Sequence, residues 1–526
     1  MPLLVSADAD PEALRSASCV AASSEHAAAC CIERGADPAR VVTLFEPVDR
    51  ERFAPDGDPA PGPQDHPRLL SVEHDNLDRV LRACERAAAR HPRLKLIHLG
   101  SVERPLPAFA ESREDVRQEE YPAWFRWADA LFLPALRLES GRVLAEALSC
   151  GTPCITSSRP PMNEVVSDRW DGLLVNPEEV GDIARAIDEI ADPSLRARLA
   201  APARTSSELF DAAAVDAREA ALYRWLLRRD WPLLTVVLPT FNRARLVEGA
   251  VRNVLGQDYP NLELIVVNDG SSDDTPAVLQ RMEAELNDPR LRVVHRENGG
   301  LPAALNTGFE MARGEYWTWT SDDNGYRPSA LRALARELEL QPEVGLVYAD
   351  MQIRDEFGGE RSFTGGPPEN LEQGSCVGGC FLYRAAIARQ VGAYDAKYTL
   401  AEDFDYWLRM HRITRFAWLH RLLYDYADAP HSLTRRRFRE MQAVQMKLFE
   451  REQGGRADWR QRKFEHLLRH ASAAKNQGLP GAAMSAAWRA IRHRPWVARG
   501  WWALLRALTP MPLLNLSRRM RGLDAG

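Results

Sequence analysis

The sequence has no paired C-x-x-C spacing and no histidine pattern set beside its eight cysteines, at 19, 30, 31, 84, 150, 154, 376 and 380. That excludes the usual zinc patterns and leaves reduced thiols that serve as small apolar residues. Also missing is any run of the roughly 18 apolar residues needed to span a bilayer. The opening Met1-Pro2-Leu3-Leu4-Val5-Ser6-Ala7-Asp8 lacks the basic stretch and long apolar run of a secretory leader. Charge of one sign is scarce too: 68 basic residues face 74 acidic ones, a formal net charge of −6. Such a balance offers no basic footprint for a nucleic acid. Together these absences predict a cytoplasmic protein without a nucleic-acid partner.

What remains is an ordinary globular composition, 45% hydrophobic and 27% charged, in a chain of 526 residues. That length exceeds a single core. Composition shifts place boundaries near Trp231-Pro232 and near residue 440, giving segments 1–230, 231–440 and 441–526.

In the first segment short apolar runs alternate with helical patterns, which predicts a parallel sheet covered by helices. Arg40–Leu44 and Leu94–Gly100 read as strands. Between them, Asn76–Arg90 carries Leu77, Val80, Leu81 and Cys84 on one helical face. Ala130–Pro134 reads as a strand, followed by a loop with Glu139, a helix through Glu146, a stop at Gly151 and a further strand. The helix N-terminus points at the loop, where backbone N–H groups suit a diphosphate. This pattern, with Arg34–Val41 ahead of it, resembles the donor-binding half of GT4-type glycosyltransferases of the GT-B fold. The resemblance covers residues 15–225 and implies a Rossmann-like half-domain with Glu139 and Glu146 as donor-site residues. Six residues separate the two glutamates where that family has seven. The chain also begins where the acceptor-binding half of a GT-B enzyme would already have ended. The expectation is therefore an accessory or nucleotide-sugar-binding domain, with an independent second donor site as the alternative; otherwise Glu146 is a solvent-facing helix residue.

The second segment repeats strand, loop and helix with acidic residues at successive strand ends, as nucleotide-binding α/β sheets do. Leu233–Pro239 leads into Thr240-Phe241-Asn242-Arg243, and Leu262–Asp269 into Gly270-Ser271-Ser272-Asp273-Asp274-Thr275. The run Gly314–Thr320 ends in Ser321-Asp322-Asp323-Asn324-Gly325. Two carboxylates at a strand end suit a hard divalent cation that shares its other positions with water and phosphate oxygens. In order and spacing these motifs, with Asn298-Gly299-Gly300, Asn306-Thr307-Gly308 and Glu402-Asp403, resemble the family 2 (GT2) glycosyltransferases of the GT-A fold.

That resemblance implies a nucleotide-diphospho-sugar transferase domain. Thr240, Asn242, Asp269 and Asp322 would meet the donor nucleotide. Asp323 would hold Mg2+ or Mn2+ with help from His431, and Asp403 would be the general base. Ser321 stands where the family's metal motif has its first Asp. The expected chemistry is an inverting transfer from a nucleoside-diphosphate sugar to a saccharide or lipid-linked saccharide acceptor, in bacterial cell-surface glycan synthesis. The alternatives are a bifunctional protein with a second, GT4-like site, and a sugar-nucleotide-binding or assembly protein without catalysis. The third segment reads as helices over Phe438–Phe449, Trp459–Ala474 and Pro480–His493. It ends in an aromatic, basic stretch, Trp496–Leu508. This tail reads equally as peripheral contact with the inner face of the cell membrane and as a helical cap on the GT-A sheet.

Overall fold

The computed structural model describes residues 4–6, 9–137, 141–355, 359–363, 365–366, 368, 371, 376–428, 437–453, 459–476, 480–493 and 497–508. The chain divides into two compact units, Met1–Leu227 and Arg228–Gly526.

The first unit opens with a small parallel sheet of β1 (Leu4–Ser6), β2 (Cys19–Ala22) and β3 (Val41–Thr43). Six further parallel strands follow: β4 (Arg68–Val72), β5 (Lys95–Leu99), β6 (Ala110–Arg113), β7 (Ala130–Leu133), β8 (Cys154–Ser157) and β9 (Gly172–Val175). Their spatial order is β6-β5-β4-β7-β8-β9, so the winding reverses between β4 and β7. That reversal opens a crevice at the carboxyl edge of the sheet. β7 and β8 are buried at every position, and a strand covered on both faces has no reason to alternate polar and apolar side chains. The helix Leu77–Ala88 buries Val80, Leu81 and Cys84, the face its spacing predicts. The helix Arg142–Ser149 stops at Gly151, which takes φ +77°, a left-handed conformation that favours glycine. Glu164 joins the two sheets of this unit: its carboxylate accepts from the Glu25 and His26 N–H groups, both at 2.7 Å, at the start of the helix Glu25–Glu33.

The second unit is built on a nine-stranded sheet. It comprises β10 (Leu234–Thr240), β11 (Leu262–Asp269), β12 (Leu291–Arg296), β13 (Tyr316–Trp319), β14 (Gly325–Tyr326), β15 (Val344–Asp355), β16 (Glu360–Phe363), β17 (Phe381–Arg384) and β18 (Arg415–Asp428). The order is β12-β11-β10-β13-β17-β15-β18-β14, with β16 on β15. β10 to β13 run parallel, and β17 enters antiparallel to both β13 and β15. β10 and β11 are buried along their whole length. An aromatic core of Trp317, Tyr383, Tyr394, Tyr406 and Trp407 packs beside them. Four helices, Phe438–Gln453, Trp459–Asn476, Pro480–His493 and Ala498–Leu508, belong to this same unit. Among the described residues no helix is long and apolar enough to cross a membrane. None of the eight cysteines forms a disulfide, and all but Cys30 are buried, the apolar use that their spacing suggests.

Candidate functional site

In the second unit the winding reverses between β10 and β13, and the loops after these strands flank the resulting crevice. A hydrogen bond closes its floor: Thr240 Oγ1, at the end of β10, donates to Asp322 Oδ2 at 2.7 Å. Arg243 Nε lies 3.3 Å from the other Asp322 oxygen. Burial pushes the Asp322 carboxyl up to about 6; the Thr240 bond opposes this, the charge of Asp323 adds to it, and Arg243 opposes it again. Asp323 is half-buried. Among the described residues its hydrogen-bond partner is Ser321, whose Oγ donates to Oδ1 at 2.7 Å. Neighbouring carboxylates in one loop are thus unequal. Asp322 is locked into the fold, and Asp323 keeps an oxygen free of hydrogen bonds to the described residues.

The loop after β11 is held by side chains expected to meet a nucleotide. Asp269 accepts from Gly299 N (3.0 Å) and Gly300 N (2.8 Å), with Arg296 Nε at 3.5 Å. Asn242 takes a left-handed φ of +55° and accepts through Oδ1 from Ser272 N at 2.8 Å. Its own N–H donates to Ser271 Oγ at 2.9 Å. Gly270 has φ +72°, and a Cβ there would meet Asn298 N at 2.6 Å. The loops after β10, β11 and β12 are therefore cross-tied into one rim. Sequence reasoning missed Arg243 and Arg296, although Arg243 lies in the loop after the strand Leu233–Pro239.

In the same unit, the helix Glu402–His411 carries three acidic residues in its first turn, where the helix dipole favours negative charge. Burial pushes both Glu402 and Asp403 upward, with the Asp403 charge adding to the rise of Glu402 to about 7. Glu402 Oε2 is buried without a hydrogen-bond partner among the described residues, and so is Trp407 Nε1. Asp403 accepts only from the adjacent Phe404 N, at 2.7 Å, among those residues. The helix is tied to the crevice by aromatic packing. Tyr406 stacks on Tyr394 at 4.1 Å, and Tyr394 OH accepts from Trp319 Nε1 at 3.1 Å, at the end of β13. Asp405 is buried between Arg409 Nε (2.8 Å) and Arg451 Nη1 (2.7 Å), the latter from the C-terminal helices.

A divalent cation fits the chemistry of the Ser321–Asn324 loop. Asp323 offers a carboxylate oxygen at a strand end, and such ions take one or two carboxylates with the remainder supplied by phosphate and water. Among the described residues no three His, Cys, Asp or Glu side chains gather as a ready-made metal cage. His431 lies outside the described residues, as does Glu139. In the first unit Glu146 is not solvent-facing: it is 3% exposed and paired with Arg142 Nε at 2.9 Å. Burial pushes its carboxyl upward against the pull of Arg142. At that unit's own switch point, Asn76 Nδ2 donates to the Pro134 and Pro177 carbonyls at 2.6 and 2.9 Å.

The parallel sheet with carboxylates at its switch point, extended by antiparallel strands, agrees with the α/β fold that the sequence resemblance implies. Family comparison agrees. Residues 235–392 match Glycosyl transferase family 2, and residues 67–192 match Glycosyl transferases group 1. The chain thus carries a family 2 glycosyltransferase domain behind a GT4-like one. An uncharacterized glycosyltransferase of Rickettsia prowazekii is 27% identical over 205 residues, 36% of this chain and 63% of that protein. The putative colanic acid biosynthesis glycosyl transferase WcaA of Escherichia coli is 31% identical over 190 residues, 34% of this chain and 66% of that one. The GalNAc(5)-diNAcBac-PP-undecaprenol beta-1,3-glucosyltransferase of Campylobacter jejuni is 37% identical over 108 residues, 20% of this chain and 34% of that one. Each match covers less than two thirds of the relative's own length.

Proposed function

We propose that the second unit transfers a sugar, with inversion, from a nucleoside-diphosphate sugar to a hydroxyl of a saccharide or lipid-linked saccharide. The observation that carries this reading is the crevice between β10 and β13, where Thr240 holds Asp322 and one Asp323 oxygen is without a hydrogen bond to the described residues. The cross-tied rim around Asn242 and Asp269 would receive the nucleotide. Asp323 would hold a divalent ion, Mg2+ or Mn2+, whose chemistry is to offset the charge that develops on the leaving diphosphate. Asp403 would take the acceptor hydroxyl proton as the new O–C bond forms at the anomeric carbon and the bond to the diphosphate breaks. Its raised affinity for a proton suits that task, because a base works best when its pKa lies close to the working pH.

The Escherichia coli and Campylobacter relatives, by their names, belong to glycan assembly, and the second acts on an undecaprenol-linked saccharide. They support a role in cell-surface glycan synthesis, with the enzyme in the cytoplasm and its acceptor at the inner face of the membrane. The first unit is accessory in this reading, since Glu146 is engaged by Arg142. The test is calorimetric titration of UDP, GDP and dTDP into the whole protein with and without Mn2+. Metal-dependent binding of one nucleotide, lost in Asp323→Ala, is the expected result. Binding that survives in Asp323→Ala and disappears in Glu146→Ala would move the site to the first unit.

A further inference from the structure

The last two described helices present an apolar face to solvent. In Ala498–Leu508 the small residues Ala503 and Ala507, with Leu504, turn inward onto the neighbouring helices. The residues that turn outward are Trp501, Trp502, Leu505 and Leu508, 45% to 63% exposed. Their spacing is that of one helical stripe. Trp488, exposed on the helix Pro480–His493, extends the stripe, its ring 6.3 Å from that of Trp501. Beside Trp502 lies a cavity of about 240 Å3 lined by Leu468, Ala471, Lys475, Arg506 and Ala507. Lys475 is buried in its wall, Nζ donating to the Ala507 carbonyl at 3.2 Å.

Charge says what this face would meet. Between Glu465 and Asp524 the sequence has ten Lys and Arg residues and no Asp or Glu, in a chain whose net charge is −6. Exposed Arg489 and Arg492 stand on the helix that carries Trp488. A protein partner would need an apolar patch ringed with carboxylates; an anionic bilayer offers both layers at once. Tryptophan partitions to the headgroup level with its apolar body inward. Each basic residue near an anionic leaflet adds attraction.

We propose that the face formed by Trp488, Trp501, Trp502, Leu505 and Leu508 docks on an anionic lipid membrane. The face would lie flat on the surface, and among the described residues no helix is long and apolar enough to span the bilayer. This deepens the reading above, because it holds the family 2 domain at the surface where a lipid-linked acceptor would be presented, but it does not need catalysis to be true.

The test is co-sedimentation of the whole protein with vesicles of equal parts phosphatidylglycerol and phosphatidylcholine, against vesicles of phosphatidylcholine alone. The expected result is binding to the anionic vesicles that falls at least about tenfold when Trp501, Trp502 and Leu505 are all changed to Ser, with an unchanged unfolding temperature. Absence of binding to anionic vesicles overturns the proposal, as does equal binding by the triple variant. So does a dimer, seen by light scattering, that the triple variant dissolves, since the face would then belong to a second copy. Vesicle binding that persists in Asp403→Asn, alongside unchanged nucleotide-sugar turnover in that variant, would refute the catalytic reading and leave this one standing.

Discussion

Glu402 and Asp403 share the first turn of one helix, yet the structure treats them differently. Glu402 is buried with an oxygen left without a partner among the described residues, while Asp403 keeps part of its surface. Asp403→Asn is expected to lower kcat by about 10²–10⁴ and leave nucleotide binding intact, as steady-state kinetics and calorimetry would show. For Glu402 the folded state holds a proton that the unfolded chain releases. Its contribution is full below the ordinary carboxyl value of 4.5 and is lost as pH rises toward about 7. Glu402→Gln should therefore leave stability near pH 4.5 unchanged and raise it at about pH 8 by on the order of 1–3 kcal/mol. Chemical denaturation at the two pH values measures this. That Asp322 and Asp323 follow directly on a buried strand was legible in the sequence. The inequality of the two carboxylates was not, because it depends on Thr240 and Arg243, distant in sequence and adjacent only once β10 and β13 pair. The same holds for Glu146, whose burial comes from the packing around its helix and leaves no trace in local periodicity.

Among the elements, a buried strand that runs straight into a loop of glycine and acidic residues is legible in the sequence. β10, β11 and β13, the helix Arg142–Ser149 and its stop at Gly151 all fell where composition placed them. The long partnership of β15 with β18 was not legible, since their pairing is set by neighbours far apart in sequence and broken by irregular register. Two changes probe how elements hold the site. Gly270→Ala places a Cβ 2.6 Å from Asn298 N in a left-handed turn. It should cost about 1–3 kcal/mol and weaken nucleotide binding by disturbing the Asp269 loop, read by thermal unfolding and calorimetry together. Arg451→Ala removes one of two partners of buried Asp405 and unties the helix Phe438–Gln453 from the helix bearing Asp403. The expected loss is about 1–3 kcal/mol, with kcat falling while the affinity for nucleotide holds.

For the whole molecule, the GT4-like match falls within one compact unit and the family 2 match within the other. Repeated strand-and-helix alternation made both legible as α/β units, and ordered motifs distinguished their families. Which unit works is a matter of side-chain environment, which the sequence does not carry. The proposed reaction belongs to the second unit. The most direct test is release of nucleoside diphosphate from UDP-, GDP- and dTDP-sugars by the whole protein in the presence of Mn2+, comparing wild type with Asp403→Asn and Glu146→Ala. Release is expected from the wild type and from Glu146→Ala, and none above background from Asp403→Asn although it still binds the donor. Release that continues in Asp403→Asn and stops in Glu146→Ala would contradict that proposal.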